Sequence, residues 1–402
     1  MRLVQPTDAR MLDDVLVIPM LAPRSYTGED VVEVHCHGGR IVSDLALCAS
    51  LAAGARGARP GEFTERAYLN GRLDLCQAEA VADVVTARSE AAVHAARRQL
   101  DGELSARILD ARGGILDARA LTEAHLDFPE EDLPAGAEAE LRARMGTILS
   151  DIERLAATYQ RGRLVRDGVR LVLAGRPNVG KSSLMNALLG RDRALVSATA
   201  GTTRDYLEEP LALAGLPVLL CDTAGFREAE EDVERAGVDR TVAQLAEADV
   251  VLFVADGSEP LTAEDEGLYR RVEGKTVIGV RNKADLEPAW TAPEGPWPLP
   301  FVPVSALRGE GLEDLQGAIV ARLPTTADDG EGAVVTNARH YVCLRRGAEH
   351  VTRAGRLLAE QGELELVAAE LQQASQALDE ILGRSDIEDV LDRVFSRFCV
   401  GK

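Results

Sequence analysis

The chain has 402 residues, which is enough for two or three domains, and its formal net charge is −21. That acidity excludes a surface that coats nucleic acid through phosphate contacts in general, because such a surface needs a basic excess. Among the 45 basic residues only four are lysines, and we expect lysine to remain where arginine cannot replace it. The four lysines are Lys181, Lys275, Lys283 and Lys402.

The six cysteines are scattered, without a C-x-x-C pair or a zinc-type spacing. In a chain of this size that pattern predicts reduced thiols in a cytoplasmic protein. No apolar run reaches the roughly 18–20 residues of a membrane span, and the first residues lack the apolar core of a signal peptide. We therefore predict a soluble, cytoplasmic protein without membrane association.

His35, Cys36 and His37 are residue types that bind metals. Alternation along a strand would place the two histidines on the opposite face from the cysteine, which argues against a shared metal site.

Residues 1–73 mix short apolar runs with turn-rich stretches and predict a small α+β domain. Residues 74–167 have the Ala, Leu, Glu and Arg content and the spacing of long helices, with a break at 129–134. Residues 324–402 return to this helical pattern. We predict one helical domain rebuilt from the two halves; the alternative is two independent helical domains.

Residues 168–323 alternate strands and helices, which predicts an inserted α/β domain with a doubly wound, mostly parallel sheet. Its predicted strands are residues 170–174, 218–222, 250–255, 276–280 and 301–304.

The segment from Gly175 to Ser182 fits the pattern G-x-x-x-x-G-K-[ST] between a predicted strand and a predicted helix. Its glycines allow backbone N–H groups to surround a phosphate, and the helix N-terminus adds positive potential. We expect Lys181 to reach the β- and γ-phosphates and the Ser182 hydroxyl to bind Mg²⁺. The alternative is a glycine turn before a helix that binds no phosphate. The predicted contacts of this loop are Asn178, Val179, Gly180, Lys181, Ser182 and Ser183.

Three further strand-end segments favour GTP over ATP. Asp285 can accept hydrogen bonds from guanine N1–H and the 2-amino group, Asn282 can meet the other purine edge, and the Lys283 stem can cover the base. Asp222 can hold Mg²⁺ through water. The predicted nucleotide contacts in these segments are Asp222, Thr223, Ala224, Gly225, Asn282, Lys283, Ala284, Asp285, Ser305, Ala306 and Leu307.

The hydrolytic machinery has a gap at Phe226, where Ras-like enzymes carry a water-orienting glutamine. Residues 201–205 resemble the first switch of the P-loop GTPases of translation, which would place Thr203 on Mg²⁺. Asn178 and the polar stretch 197–203 could hold a monovalent cation beside the phosphates. The alternative is a slow GTPase without catalytic machinery.

Several segments together resemble the MnmE (TrmE) family of tRNA uridine-modification GTPases. They are residues 26–33, 35–39, 58–67, 70–75, 127–131 and the chain end 398–402. The resemblance covers essentially the whole chain, and it implies an N-terminal folate-binding-like domain and a homodimer.

For individual residues, the resemblance implies that potassium promotes hydrolysis and that Glu234 orients the attacking water, with Lys181 and Thr203 as its catalytic companions. The potassium ligands would be Asn178, Ser197, Thr199 and Thr202, and the residues that bind GTP would also include Ser197, Thr202 and Thr203. A solvated acidic face at 228–234 is the alternative for Glu234.

The resemblance also implies that 5-formyl- or 5,10-methylene-tetrahydrofolate supplies a one-carbon unit to the wobble uridine of tRNA. Glu33, Arg72 and Lys402 match the folate-binding positions, although Glu33 could be only an exposed polar residue. The expected partner is the flavoprotein MnmG (GidA), in a heterotetramer. Cys399 is a candidate for folate or RNA chemistry, with a small buried hydrophobe as the alternative.

Two features depart from the family pattern. The chain begins inside the region that matches the N-terminal domain, so we expect that domain to be shortened, and Arg72 stands where the family has lysine. The competing hypothesis for the whole chain is a ribosome-assembly or regulatory GTPase that acts as a binding switch.

Overall fold

The computed structural model of the chain describes residues 1–127, 137–192, 208–213, 216–222, 245–290, 297, 300–323, 332–384, 391, 394–396, 398 and 401. The strands are β1 (Arg2–Val4), β2 (Met11–Asp14), β3 (Leu16–Met20), β4 (Val31–His35), β5 (Val169–Ala174), β6 (Glu208–Leu213), β7 (Leu216–Asp222), β8 (Val250–Asp256), β9 (Val277–Asn282) and β10 (Phe301–Pro303). The first helices are α1 (Arg40–Ala52), α2 (Glu62–Leu69), α3 (Leu75–Thr86), α4 (Glu90–Leu100), α5 (Glu103–Asp127), α6 (Ala137–Ala157) and α7 (Tyr159–Asp167). The later helices are α8 (Lys181–Asp192), α9 (Ala263–Val272), α10 (Leu312–Val320), α11 (Ala338–Ala359) and α12 (Leu364–Leu382).

The chain divides into two compact units. The first consists of Met1–Thr86, Ala96–Ala157 and Ala333–Lys402, and the second consists of Ala87–Ala95 and Thr158–Gly332. Helices from distant parts of the sequence therefore share the first unit, where α12 packs on α5 and α11 packs on α6. Arg112 on α5 and Asp379 on α12 form an ion pair at 2.6 Å.

The N-terminal part of the first unit contains two antiparallel strand pairs, β1 with β2 and β3 with β4. In the second pair Leu16 lies opposite His35 and Met20 lies opposite Val31. Together with α1 and α2, these strands make residues 1–73 a mixture of strands and helices, as the sequence pattern indicates.

The second unit contains a six-stranded sheet in the order β10-β9-β8-β5-β7-β6. The neighbours from β10 to β7 are parallel, and only β6 pairs antiparallel, with β7. The predicted parallel sheet is thus confirmed, with strand bounds close to the predicted ones.

The apolar run of β8 explains its central place. All seven of its residues are buried, as expected for a parallel strand that is covered on both faces. Leu252 and Val254 belong to the core on one face of the sheet, whereas Phe253 and Ala255 belong to the core on the other.

The register brings the ends of the parallel strands to one edge of the sheet. Asp256 on β8 is level with Asn282 on β9, and Asp222 on β7 is level with Leu173 near the end of β5. Loops that follow the carboxyl ends of parallel strands form the ligand site in folds of this kind. This edge is therefore where the predicted nucleotide residues should meet.

Candidate functional site: a guanine-nucleotide pocket

The loop between β5 and α8 has the backbone shape that its glycines allow. Gly175 has φ of +154°, and a Cβ there would lie 2.2 Å from the carbonyl oxygen of Val254. Gly180 has φ of +94°, and its Cβ would lie 2.2 Å from Nδ2 of Asn282. Any side chain at either position would collide with the neighbouring strand ends, so the loop lies directly against the sheet edge.

Lys181 is the first residue of α8 and its side chain is turned back over this loop. The residue is only 5% exposed. Its Nζ donates to the carbonyl oxygens of Gly175 and Arg176, at 2.8 Å in each case. A buried ammonium therefore sits inside the loop at a helix N-terminus, where an anion is favoured by both the charge and the helix dipole.

Ser182 and Ser183 follow in the first turn of α8 and are exposed. The hydroxyl of Ser182 is a hard oxygen donor of the kind that Mg²⁺ prefers. Its residue type and place at the loop therefore fit the predicted magnesium ligand. Asn178 is exposed in the same loop, with φ of +65°.

Asn282 connects three segments of the pocket. Its Nδ2 donates to the carbonyl oxygen of Val179 at 2.8 Å, and its Oδ1 accepts from the backbone N–H of Ala306 at 3.1 Å. These two hydrogen bonds tie the phosphate loop to the segment after β10. Asn282 itself is buried, with 2% of its surface exposed. The sequence placed Asn282 at the purine edge, and the structure adds this internal role.

Asp285 lies in the loop after β9 beside the last predicted segment. Its Oδ1 accepts from the Oγ of Ser305 at 2.6 Å, and Nε of Arg308 lies 4.0 Å from its other oxygen. The hydrogen bond from Ser305 is the main cause that lowers the pKa of Asp285 below its ordinary value. The carboxylate is thus charged at neutral pH, as an acceptor for two guanine N–H groups must be. Ala284 and Leu307 are both exposed beside it.

Lys283 has a partner that the sequence reading missed. Its Nζ forms an ion pair with Oδ2 of Asp256, at the end of β8. The other carboxylate oxygen accepts from the Oγ of Ser258 at 2.6 Å and from its N–H at 2.9 Å. Burial opposes ionisation of Asp256, but the hydrogen bonds from Lys283 and Ser258 outweigh it and lower the pKa.

This contact holds the Lys283 stem between two strand ends. Lys283 itself has φ of +62°, an uncommon conformation for a residue other than glycine. The sequence carries a signal for Asp256, because it is a polar residue at the end of a buried apolar strand. The same signal identified Asp222 and Asn282, but it was not applied to Asp256.

Trp290 closes the segment that carries Lys283 and Asp285. Its Nε1 donates to the carbonyl oxygens of Asp256 and Glu259, at 3.0 Å in each case. The Arg281 guanidinium donates to the carbonyl oxygen of Trp290 at 2.9 Å and lies 5.8 Å from the centre of its ring. The segment from Arg281 to Trp290 is therefore held at both ends.

Several predicted site residues lie outside the described residues. They are Ser197, Thr199, Thr202, Thr203, Thr223, Ala224, Gly225, Glu234, Cys399 and Lys402. The roles given to them remain predictions. Asp222 is described as the last residue of β7, at the same sheet edge as the phosphate loop.

The two described folate candidates lie in the N-terminal part of the first unit. Glu33 is on β4 opposite Ile18, exposed, with its carboxylate 3.1 Å from Nε2 of His35. Arg72 is exposed after α2, and its backbone N–H donates to Ala67 at 2.8 Å.

Each histidine of the His35-Cys36-His37 segment has a carboxylate neighbour: His35 pairs with Glu33, as above, and Nδ1 of His37 lies 2.7 Å from Oδ1 of Asp13. Within the residues described, no three His, Cys, Asp or Glu side chains are grouped to hold a metal ion. In the same part of the chain, no helix has the length and apolar content to cross a membrane.

A family profile described as the MnmE helical domain matches residues 75–399, and one described as the GTP-binding protein TrmE N-terminus matches residues 1–72. The chain belongs to the MnmE family.

Individual relatives support this membership along nearly the whole chain. The tRNA modification GTPase MnmE of Geobacter sulfurreducens is 43% identical over 99% of this chain and 88% of its own. The protein of the same name from Chloroflexus aurantiacus is 46% identical over 98% of this chain and 88% of its own. The one from Heliobacterium modesticaldum is 44% identical over 100% and 88%, respectively.

Proposed function

We propose that the chain is a GTP hydrolase that acts in the modification of tRNA. The observation that carries the proposal is the union of a phosphate loop and a charged guanine acceptor at one sheet edge. Asn282 joins the two through its contacts with Val179 and Ala306. The names of the relatives, tRNA modification GTPases, supply the RNA class.

We propose a separate role for each described residue of the pocket. Backbone N–H groups of the loop and the Lys181 ammonium bind phosphate oxygens, and Ser182 supplies an oxygen ligand for Mg²⁺, which neutralises phosphate charge when bound. Asp285 selects guanine, since adenine offers an acceptor at N1 and no 2-amino group. Lys283, held by Asp256, covers the base with its aliphatic stem.

For the hydrolytic step, we propose Glu234 as the residue that orients the attacking water, with Thr203 on Mg²⁺. Potassium, bound by Asn178, Ser197, Thr199 and Thr202, would add the positive charge that other GTPases take from an arginine. The support is the family resemblance together with Phe226, which cannot polarise water.

The tRNA modification needs a source of carbon and a partner protein. We propose a homodimer that works with the flavoprotein MnmG and takes a one-carbon unit from 5-formyl- or 5,10-methylene-tetrahydrofolate. Glu33, Arg72 and Lys402 are the proposed folate-binding residues, with Cys399 as a further candidate. The exposure of Glu33 and Arg72 is compatible with ligand contact.

We also propose that the chain is divided into domain segments 1–73, 74–167, 168–323 and 324–402. The third segment is inserted into a helical domain formed by the second and fourth.

The decisive test of guanine selection uses Asp285→Asn. An amide in place of the carboxylate donates one hydrogen bond and accepts another, which suits xanthine better than guanine. We expect the preference to shift from GTP to XTP by at least about tenfold in kcat/KM. Retained preference for GTP would refute the guanine assignment, and wild-type turnover of ATP at the rate of GTP would refute it as well.

Cation use and RNA substrate are tested separately. GTP turnover measured in K⁺ and in Na⁺ at equal ionic strength should be far higher in K⁺. Glu234→Ala should slow hydrolysis by orders of magnitude while leaving nucleotide affinity unchanged.

Mass analysis of wobble uridines in tRNA from a strain lacking this chain should show a lost modification. An unchanged nucleoside profile with a ribosome-assembly defect would favour the binding-switch alternative.

A further inference from the structure

Arg176, the second residue of the phosphate loop, has a side chain directed towards α9. Its carbonyl oxygen accepts a hydrogen bond from Nζ of Lys181, at 2.8 Å. Its guanidinium Nε donates instead to Oδ1 of Asp265, also at 2.8 Å. The Arg176 side chain is 16% exposed and that of Asp265 is 0% exposed. The loop is thus tied to a carboxylate that lies 89 residues further along the chain.

Asp265 is itself held rigidly by the start of α9. Its second oxygen, Oδ2, accepts from the N–H and the Oγ of Thr262, at 2.9 Å in each case. In return, Thr262 Oγ accepts from the Asp265 N–H at 3.4 Å, which completes a capping box. One carboxylate oxygen therefore caps the helix and the other holds Arg176.

The burial of Asp265 makes this contact more than a surface ion pair. A buried carboxylate is costly without a paired and hydrogen-bonded cation, and exposed ion pairs contribute little by comparison. The hydrogen bond to Asp265 is also the main cause that raises the pKa of Arg176. Glu259, 3.8 Å from the guanidinium, is a weaker and exposed neighbour.

The contact acts on the part of the loop that lies between its two anchors on the sheet. Gly175 lies against Val254, and Val179 is bonded to Asn282, so both ends of the loop are anchored to the sheet. Between them, Arg176 is the residue whose carbonyl oxygen receives Lys181. Its side-chain contact with α9 is therefore a further constraint on the position of that carbonyl.

We propose that Asp265 is a positioning residue for nucleotide binding, which holds the phosphate loop and the Lys181 ammonium in place through Arg176. This inference rests on the proposed guanine-nucleotide function and adds a residue to the same site. Neither residue needs to touch the nucleotide base. The pair should consequently affect affinity for the phosphates and leave the choice between guanine and xanthine unchanged.

The test is a double-mutant cycle with Asp265→Asn and Arg176→Gln in the full chain. Asparagine at 265 keeps an oxygen for the helix cap and loses the charged acceptor for Arg176. Dissociation constants for fluorescent GDP and GTP analogues should rise about tenfold in each single variant. They should rise by about the same factor in the double variant, because both changes remove one interaction. The preference for GTP over XTP should remain that of the wild type.

Thr262→Ala is the matched control, because it removes the threonine side of the cap and leaves the Arg176 contact. It should lower the melting temperature and keep nucleotide affinity within about twofold of wild type.

Three results would overturn the inference. These are an affinity of Asp265→Asn within twofold of wild type, a hundredfold loss in the double variant (which shows independent effects), and a loss in Thr262→Ala equal to that in Asp265→Asn. If Asp265→Asn does not fold, Arg176→Gln decides alone, since it changes no helix cap. Failure of the wild-type chain to bind any guanine nucleotide would refute the proposed function together with the inference.

Discussion

The nucleotide pocket of the second unit and a buried ionic cluster in the first unit use charge in opposite ways. In the pocket, the buried Lys181 ammonium donates to two backbone carbonyl oxygens. In the first unit, Glu79 on α3 accepts from Nε and an Nη of Arg339, both at 3.0 Å, and lies 2.6 Å from Nε2 of His340. The first arrangement presents a cation beside exposed loop residues, whereas the second is closed on itself.

The Arg339 guanidinium of this cluster has further partners, whereas the buried Nδ1 of His340 has no hydrogen-bond partner among the described residues. Arg339 also donates to the carbonyl oxygens of Glu380 and Ile381, at 2.6 and 3.2 Å, at the end of α12. His340 is 0% exposed. In the cluster each buried charge depends on its side-chain partner, whereas an ammonium that donates to carbonyl oxygens remains suited to a ligand anion.

Gly180→Ala should impair the nucleotide pocket most strongly. The added Cβ would lie 2.2 Å from Nδ2 of Asn282, at a backbone φ of +94° that alanine rarely adopts. We expect nucleotide affinity to fall more than about a hundredfold, because the loop must leave the sheet edge. Gly190→Ala is the control, since a Cβ there meets no atom of the described residues within 4 Å, and it should bind as wild type. Equal losses in both variants, measured by titration, would contradict the geometry.

In the buried ionic cluster, Glu79→Gln should destabilise the first unit. It leaves the Arg339 charge without its carboxylate, and breaking such a buried pair costs about 3–5 kcal/mol. Urea unfolding monitored by circular dichroism measures the loss. Glu140→Gln, which breaks the exposed pair with Arg144, should cost at most about 1 kcal/mol. Nucleotide affinity should be unchanged in both variants, and a loss in Glu79→Gln would show that the cluster also serves the pocket.

The same cluster predicts a dependence on pH. Burial alone would raise the pKa of Glu79, but the attraction and hydrogen bonds of His340 and Arg339 outweigh it and bring the pKa to about 2, from an ordinary 4.5. A lowered pKa adds stability above about pH 4.5, and this is lost as pH falls towards 2. The loss amounts to about 3 kcal/mol. Unfolding free energy measured across this range should fall less steeply in Glu79→Gln, and parallel profiles would contradict the assignment.

The smallest expected effect belongs to the ion pair inside the pocket. Asp256→Asn removes the charge that holds Lys283, while an amide oxygen remains for Ser258. We expect a three- to tenfold rise in the dissociation constant of GDP, on the order of 1 kcal/mol. Asp314→Asn, at an exposed position on α10, is the control and should bind as wild type. An unchanged Asp256→Asn would show that the lysine stem needs no anchor.

The sequence predicted those parts of the site in which neighbours along the chain act together. The loop from Gly175 to Ser182 and the segment from Asn282 to Asp285 are local patterns placed by strands whose apolar runs are readable. The strand predictions came within a few residues of Val277–Asn282 and the other parallel strands, because buried parallel strands are continuous in apolar residues. The antiparallel strand β6 was not predicted. The order of the strands in the sheet needed the structure.

The partners of the charged residues were determined by the tertiary structure alone. Lys283 and Asp256 are 27 residues apart, Arg176 and Asp265 are 89 apart, and Arg339 and Glu79 are 260 apart. None of these pairs has a spacing that a helix or a strand would reveal, since they meet only when separate elements pack. The chain itself therefore specified a phosphate loop, a guanine-binding segment and four rare lysines. Packing determined which carboxylates hold Lys283 and Arg176, because a charge that is removed from water requires a partner.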